Sequence, residues 1–166
     1  MIKKILIIFS LILSGLFSNS IFAETKTGTF DLVGSFTGPT EFMSSGNSFI
    51  ANYSGTLIFQ DKQGTNSIFD KSSWYCVGSV MSSGEDGVEM ALCKIALADS
   101  AEDEFIYFSG VNKNWPNPGA PGKFVGGTGK YENISGEVSM SYTGLPRLVK
   151  PEVAQSINLV NGSYTY

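Results

Sequence analysis

Few side chains in this sequence could carry chemistry, and the missing types narrow the field as much as those present. There is no histidine, which removes the commonest general base and the commonest zinc ligand. Two cysteines, Cys76 and Cys93, are too few for a zinc site without histidine help, and no segment has the D-x-[DN]-x-[DN]-G spacing of a calcium loop. No metal or cofactor is therefore expected. Among the acids, Glu89 and Glu137 are the two to watch. Glu89 lies between Val88 and Met90, and Glu137 follows a glycine-rich stretch. A carboxyl placed in an apolar cavity can act as a general acid or base. In a plain alternating strand, however, each would point outward. Arg147 is the one arginine of the chain and the residue type best suited to clamp a carboxylate.

The stretch FVGGTGKYENISGE, Phe124 to Glu137, invites a phosphate-loop reading and fails it. A nucleotide P-loop needs G-x-x-x-x-G-K-[ST]. Here Tyr131 follows Gly129-Lys130, and Phe124 stands where the first glycine belongs. The dinucleotide fingerprint fails at Glu132. Both motifs also need a helix to follow, whereas EVSMSYTG alternates Val138, Met140 and Tyr142 against Glu137, Ser139 and Ser141, a strand pattern. Gly127 and Gly129 then serve a sharp corner, through positive φ and close backbone approach.

The elements that must position these residues read as strands. In SFIANYSGTLIFQ, the residues Phe49, Ala51, Tyr53, Leu57 and Phe59 share one face, with a bend expected at Gly55. TGTFDLVGSFTG, DEFIYFSG, EVSMSYTG and SINLVNGSYTY behave alike. Seven to nine strands at this spacing, with 19 glycines and no convincing helical period, indicate an all-β sandwich or barrel. The cysteines fall on two runs flanking SSGEDG. A two-residue turn at Gly84-Glu85, with the glycine-first preference of a type II′ turn, sets Cys76 opposite Cys93, Val77 opposite Leu92, Met81 opposite Val88 and Trp74 opposite Ile95. Directly opposed cysteines are within bridging reach, so a cross-strand disulfide is expected in an oxidising compartment. Two stretches read as long connections. Val111–Gly122, rich in proline, carries Trp115 at its tip. Gly144–Gln155 carries Arg147 and a helical turn after Pro151.

The glycine stretch resembles the G-G-T-G-[KR]-[FY]-x-x-x-x-G signature of the allene oxide cyclase and dirigent-like barrels. The matching positions are Gly126, Gly127, Thr128, Gly129, Lys130, Tyr131 and Gly136. The resemblance implies an antiparallel, calycin-style barrel of about eight strands and a small secreted bacterial relative. It also implies an interior that holds an apolar or phenolic ligand, since the family includes isomerases and coupling-guide proteins. Self-association is common among such barrels. The motif marks scaffold, so architecture alone carries over.

The opening MIKKILIIFSLILSGLFSNSIFA has a basic start, an apolar run and a small residue, Ala23, at a cleavage point. This is the pattern of a secretory signal peptide. It leaves residues 24–166 as one barrel domain, periplasmic or secreted, with no membrane span. Lys3 and Lys4 leave with it and no acid does, so nine basic residues face fifteen acidic ones, a net charge of −6. An acidic chain without a basic cluster excludes nucleic acid as a partner. The function these features favour is binding of a small apolar or aromatic ligand inside the barrel. Tyr53, Leu57 and Phe59 are expected on its wall. Tyr75, Phe105, Tyr107, Tyr131, Trp115 and Arg147 are further candidates, with room left by Ala51, Gly55, Gly78 and Ala91. The alternatives are an isomerase- or cyclase-like enzyme using the same cavity, a filled barrel acting as an interaction module, and a small outer-membrane barrel.

Overall fold

A computed structural model describes residues 24–166 apart from 63, 65, 66, 118, 145–149 and 151. The expected signal peptide and Arg147 lie outside the described residues. Eight antiparallel strands follow one another around a closed barrel: β1 (Thr27–Ser45), β2 (Ser48–Asp61), β3 (Ser73–Ser83), β4 (Asp86–Ala96), β5 (Ile106–Trp115), β6 (Ala120–Gly127), β7 (Glu137–Gly144) and β8 (Val153–Thr165). Closure comes from a long ladder between β1 and β8, running from Thr27 opposite Thr165 to Pro39 opposite Val153. No sheet edge is left open, which removes the usual route to edge-to-edge association.

The β3–β4 hairpin has the expected register. Cys76 faces Cys93, Val77 faces Leu92 and Trp74 faces Ile95, and the two cysteines form a disulfide. Gly84 turns with φ of +65°. The two long connections are shorter than the sequence suggests. β5 pairs as far as Trp115 and β6 resumes at Ala120. Proline interrupts the ladder only beyond Trp115, because Pro116 has no N–H to donate. Similarly, no helical turn follows position 151. Glu152 takes φ of +65° and β8 starts at Val153.

One end of the barrel, where β1 and β8 have their outer termini, is filled. Phe30, Leu32, Phe59, Trp74, Ile95, Ile106, Phe124 and Val160 point inward from seven of the eight strands. The connection between β2 and β3 folds across this end and inserts Phe69, which is fully buried. Its ring lies 4.7 Å from that of Phe30 and stacks at 5.2 Å on Phe124. The plug is tied down by polar bonds. The Asp61 backbone N–H donates to Asp70 Oδ1 at 2.9 Å, and Trp74 Nε1–H donates to Ser72 Oγ at 3.0 Å.

The glycine stretch is the corner between β6 and β7. Gly126 and Gly129 have φ of +125° and +58°, conformations that cost a side chain dearly. A short 3-10 turn spans Gly129–Tyr131. Thr128 Oγ1 accepts the Phe105 N–H at 2.8 Å and donates to the Asp103 carbonyl at 2.6 Å. Lys130 Nζ pairs with Glu104 at 3.0 Å. The Glu104 carboxyl is held below its usual range by the Ala101 N–H and then by Lys130. The lysine that suggests phosphate binding is thus engaged within the fold.

Candidate functional site

The opposite end of the barrel is open. A cavity of about 260 Å³ occupies it, bounded by the upper ends of all eight strands. That is just below the roughly 300 Å³ at which small-molecule pockets usually begin, so the guest it fits is small. The disulfide, Leu57 and Phe108 form its floor, while Phe36, Ala51, Val80, Ala91 and Met140 make an apolar wall.

Into this wall projects one polar cluster. Glu89, on β4, is 9 % exposed and faces inward. The outward expectation for it is corrected by the strand's own facing. On β4 the inward positions are Glu89, Ala91, Cys93 and Ile95, while Met90 and Leu92 stand in solvent. The disulfide fixes this parity, since Cys76 and Cys93 are both buried and a one-residue slip would turn every side chain over. Tyr53 Oη–H, from β2, donates to Glu89 Oε1 at 2.7 Å, and Tyr142 Oη–H, from β7, donates to Glu89 Oε2 at 2.7 Å. Gly78 on β3 makes room for Tyr53. A Cβ there would run into the phenol ring.

Both phenols are pushed well above the usual tyrosine range, first by burial and then by the charge of Glu89 and the bond to it. The Trp115 indole near the Tyr142 hydroxyl offsets part of that rise for Tyr142. Tyr53 and Tyr142 thus each donate to one oxygen of Glu89. Trp115 reaches the cavity through a bulge. Glu89 opposes Asn112, but Gly87 opposes Trp115, a one-residue shift in the ladder. A bulge re-aims the residues beyond it, and this one brings Trp115 to the inner face. The turn beyond is braced by Asn112 Nδ2–H donating to the Asn117 carbonyl at 2.8 Å. Higher on the wall, the buried hydroxyl of Thr40 is the one buried side-chain polar atom among the described residues with no hydrogen-bond partner.

Of the residues expected on the wall, Tyr53, Leu57 and Trp115 line the cavity. Five require correction. Phe59 points inward but belongs to the filled end, in edge contact with Trp74 at 5.0 Å. Tyr75 and Tyr107 face outward, 53 % and 38 % exposed, because each neighbours an inward residue on its strand. Tyr131 is buried beneath the corner, against Tyr166 at 4.9 Å. Phe105 precedes β5 and lies under the Lys94 ammonium, 3.5 Å from the ring centroid, away from the cavity. Glu137 is exposed at the start of β7. Tyr142, Thr40 and Asn158 also line the cavity, and of these only Tyr142 carries a sequence signal, its place on the apolar face of its strand.

No family model matches the chain, and no curated protein matches it in sequence. Solved structures do. A pterocarpan synthase dirigent protein, GePTS1, superposes with a TM-score of 0.53 at 11% identity over 90% of this chain and 98% of its own. A second, PsPTS1, gives 0.50 at 14% identity over 86% and 95%. The fold is that of the dirigent-like barrels. A protein titled an exo-specific intermolecular Diels-Alderase, AbnU, is a more distant match, with a TM-score of 0.44 at 12% identity over 84% and 99%. At these identities the likeness concerns the barrel alone, and side-chain chemistry must be argued from this chain.

Proposed function

We propose that this protein is an exported barrel that binds a small, largely apolar ligand in its open end. The observation that carries the reading is the cavity itself: an apolar wall, a floor fixed by the disulfide and a single convergent polar cluster. Such a combination is the usual form of a small-molecule site, and an eight-stranded barrel is just wide enough for one guest. The partnerless Thr40 hydroxyl adds support, since a buried hydroxyl left unpaired costs about 1–3 kcal/mol and a ligand could satisfy it.

Export is supported by the signal-like opening and by a disulfide, a bond that persists in oxidising compartments. The interior polarity argues against a membrane-spanning barrel. Those barrels face apolar side chains to lipid and polar ones inward, whereas here the filled end is aromatic and aliphatic. Native mass spectrometry of the mature protein, purified without detergent, tests the binding reading. A discrete added mass that is lost on denaturation, and is absent from an Ala91→Phe variant, is expected. The same mass on both proteins would sink the reading.

A second reading, an isomerisation or cyclisation in the cavity, is favoured by Glu89. A carboxyl held between two phenols in an apolar cavity is a workable proton acceptor. Chromatography of the recovered ligand after incubation with the protein would reveal an isomer of equal mass. Glu89→Gln would stop its formation.

A further inference from the structure

The hydrogen bonds of the Glu89 cluster specify what a ligand must bring. Each phenol has one proton, and both protons are committed to Glu89. What the cluster leaves facing the cavity is a set of acceptors: the remaining lone pairs of the Glu89 carboxylate and those of Tyr53 Oη. Neither phenol has a further proton to give. The charge of the cluster is also uncompensated. Among the described residues that line the cavity, Glu89 is the one charged side chain, and no lysine is among them. Burying a carboxylate without a cation is costly even when hydroxyls bond to it. Phe36, Tyr53, Tyr142 and Trp115 line the cavity with Glu89, and aromatic rings attract ammonium groups.

We infer that the site is built for an amine: a small apolar or aromatic molecule carrying a protonated amino group, which donates to Glu89 and Tyr53 while its apolar part fills the space above the disulfide. This rests on the ligand-binding reading above and narrows it. Carboxylate ligands are excluded, since they would meet Glu89 with like charge.

Two matched sets of probes test the inference by calorimetry on the mature protein at pH 7. One set is tryptamine, tryptophol, 3-ethylindole and indole-3-acetate. The other is 3-phenylpropylamine, 3-phenylpropanol, propylbenzene and 3-phenylpropionate. The amines are expected to bind about tenfold or more tightly than their neutral partners, the scale of a desolvated charge-assisted contact, and the acids not at all. Glu89→Gln is expected to remove the preference, so that each amine binds no more tightly than the hydrocarbon of its set in the same variant. The comparison within the wild-type protein needs no variant to fold. Alcohols or hydrocarbons binding as tightly as the amines, or acids binding at all, would overturn the inference but leave the cavity reading standing, provided Ala91→Phe blocks them. If no probe of either set binds, both fall.

Discussion

Below the Cys76–Cys93 disulfide the barrel is a solid; above it, the same eight strands enclose a space. The lower half alternates large rings across the axis, and Phe69 closes its end by stacking on Phe124. The upper half offers Ala51, Ala91 and Gly110 at the matching inward positions, and its two tyrosines, Tyr53 and Tyr142, are held against the wall by bonds to Glu89. The two halves differ in residue volume rather than in backbone. Stability is concentrated in the half that buries apolar surface, and room for a ligand lies in the half that does not.

Substitutions of one kind should therefore act differently in the two halves. The largest contrast is between the tryptophans. Trp74→Ala removes a fully buried side chain and should cost about 3–5 kcal/mol. Trp115→Ala, at the half-buried rim, should cost about 1 kcal/mol while weakening ligand capture. Chemical denaturation of both variants gives the comparison directly.

Opening the disulfide comes next. Its 17-residue separation corresponds to about 3 kcal/mol of chain-entropy stabilisation. The double variant Cys76→Ala, Cys93→Ala should lose roughly that much in denaturant melts, and it should also bind ligand less well because the floor of the cavity is no longer pinned.

Enlargement tests the division from the other side. Val160→Phe in the filled half should cost about 1–3 kcal/mol through overpacking. Ala91→Phe has free volume to enter and should change stability by less than about 1 kcal/mol, yet abolish binding. Equal destabilisation by both would mean that the upper half is no emptier than the lower.

The smallest effect is at alkaline pH. Tyr53 and Tyr142 titrate above their unfolded value of about 10, because burial and Glu89 oppose the phenolate. Their contribution to stability is fully present below pH about 10 and is lost as the pH climbs toward their folded values, since the unfolded chain then releases protons that the folded chain retains. Tyr53→Phe with Tyr142→Phe should flatten this alkaline decline in melts followed across pH. It should not abolish it, because burial also raises Tyr131 and Tyr164 in the filled half.

The barrel and its cysteine register were legible in the sequence because period-two alternation and a glycine-first turn are local signals. The corner glycines were legible for the same reason. The site was legible only in fragments. Tyr53 and Leu57 followed from the apolar face of β2, but Glu89 did not follow from β4. There the outer face carries Met90 and Leu92 and hydropathy points to the wrong side. The register with Cys76 held the answer: if the disulfide points inward, so does every second residue, Glu89 included. Trp115 was harder still, since its facing depends on the bulge opposite Gly87, and a bulge leaves no mark in hydropathy. No local signal marks Phe69, because only the closed barrel supplies the end that it fills.

A high-resolution crystal structure of the mature protein tests the divided barrel most directly. The account predicts density from a bound guest, or from ordered water beside Glu89, in the space between Tyr53, Tyr142 and the disulfide. Trp115 and Met140 folded down to fill that space, with Glu89 turned out to solvent, would contradict it.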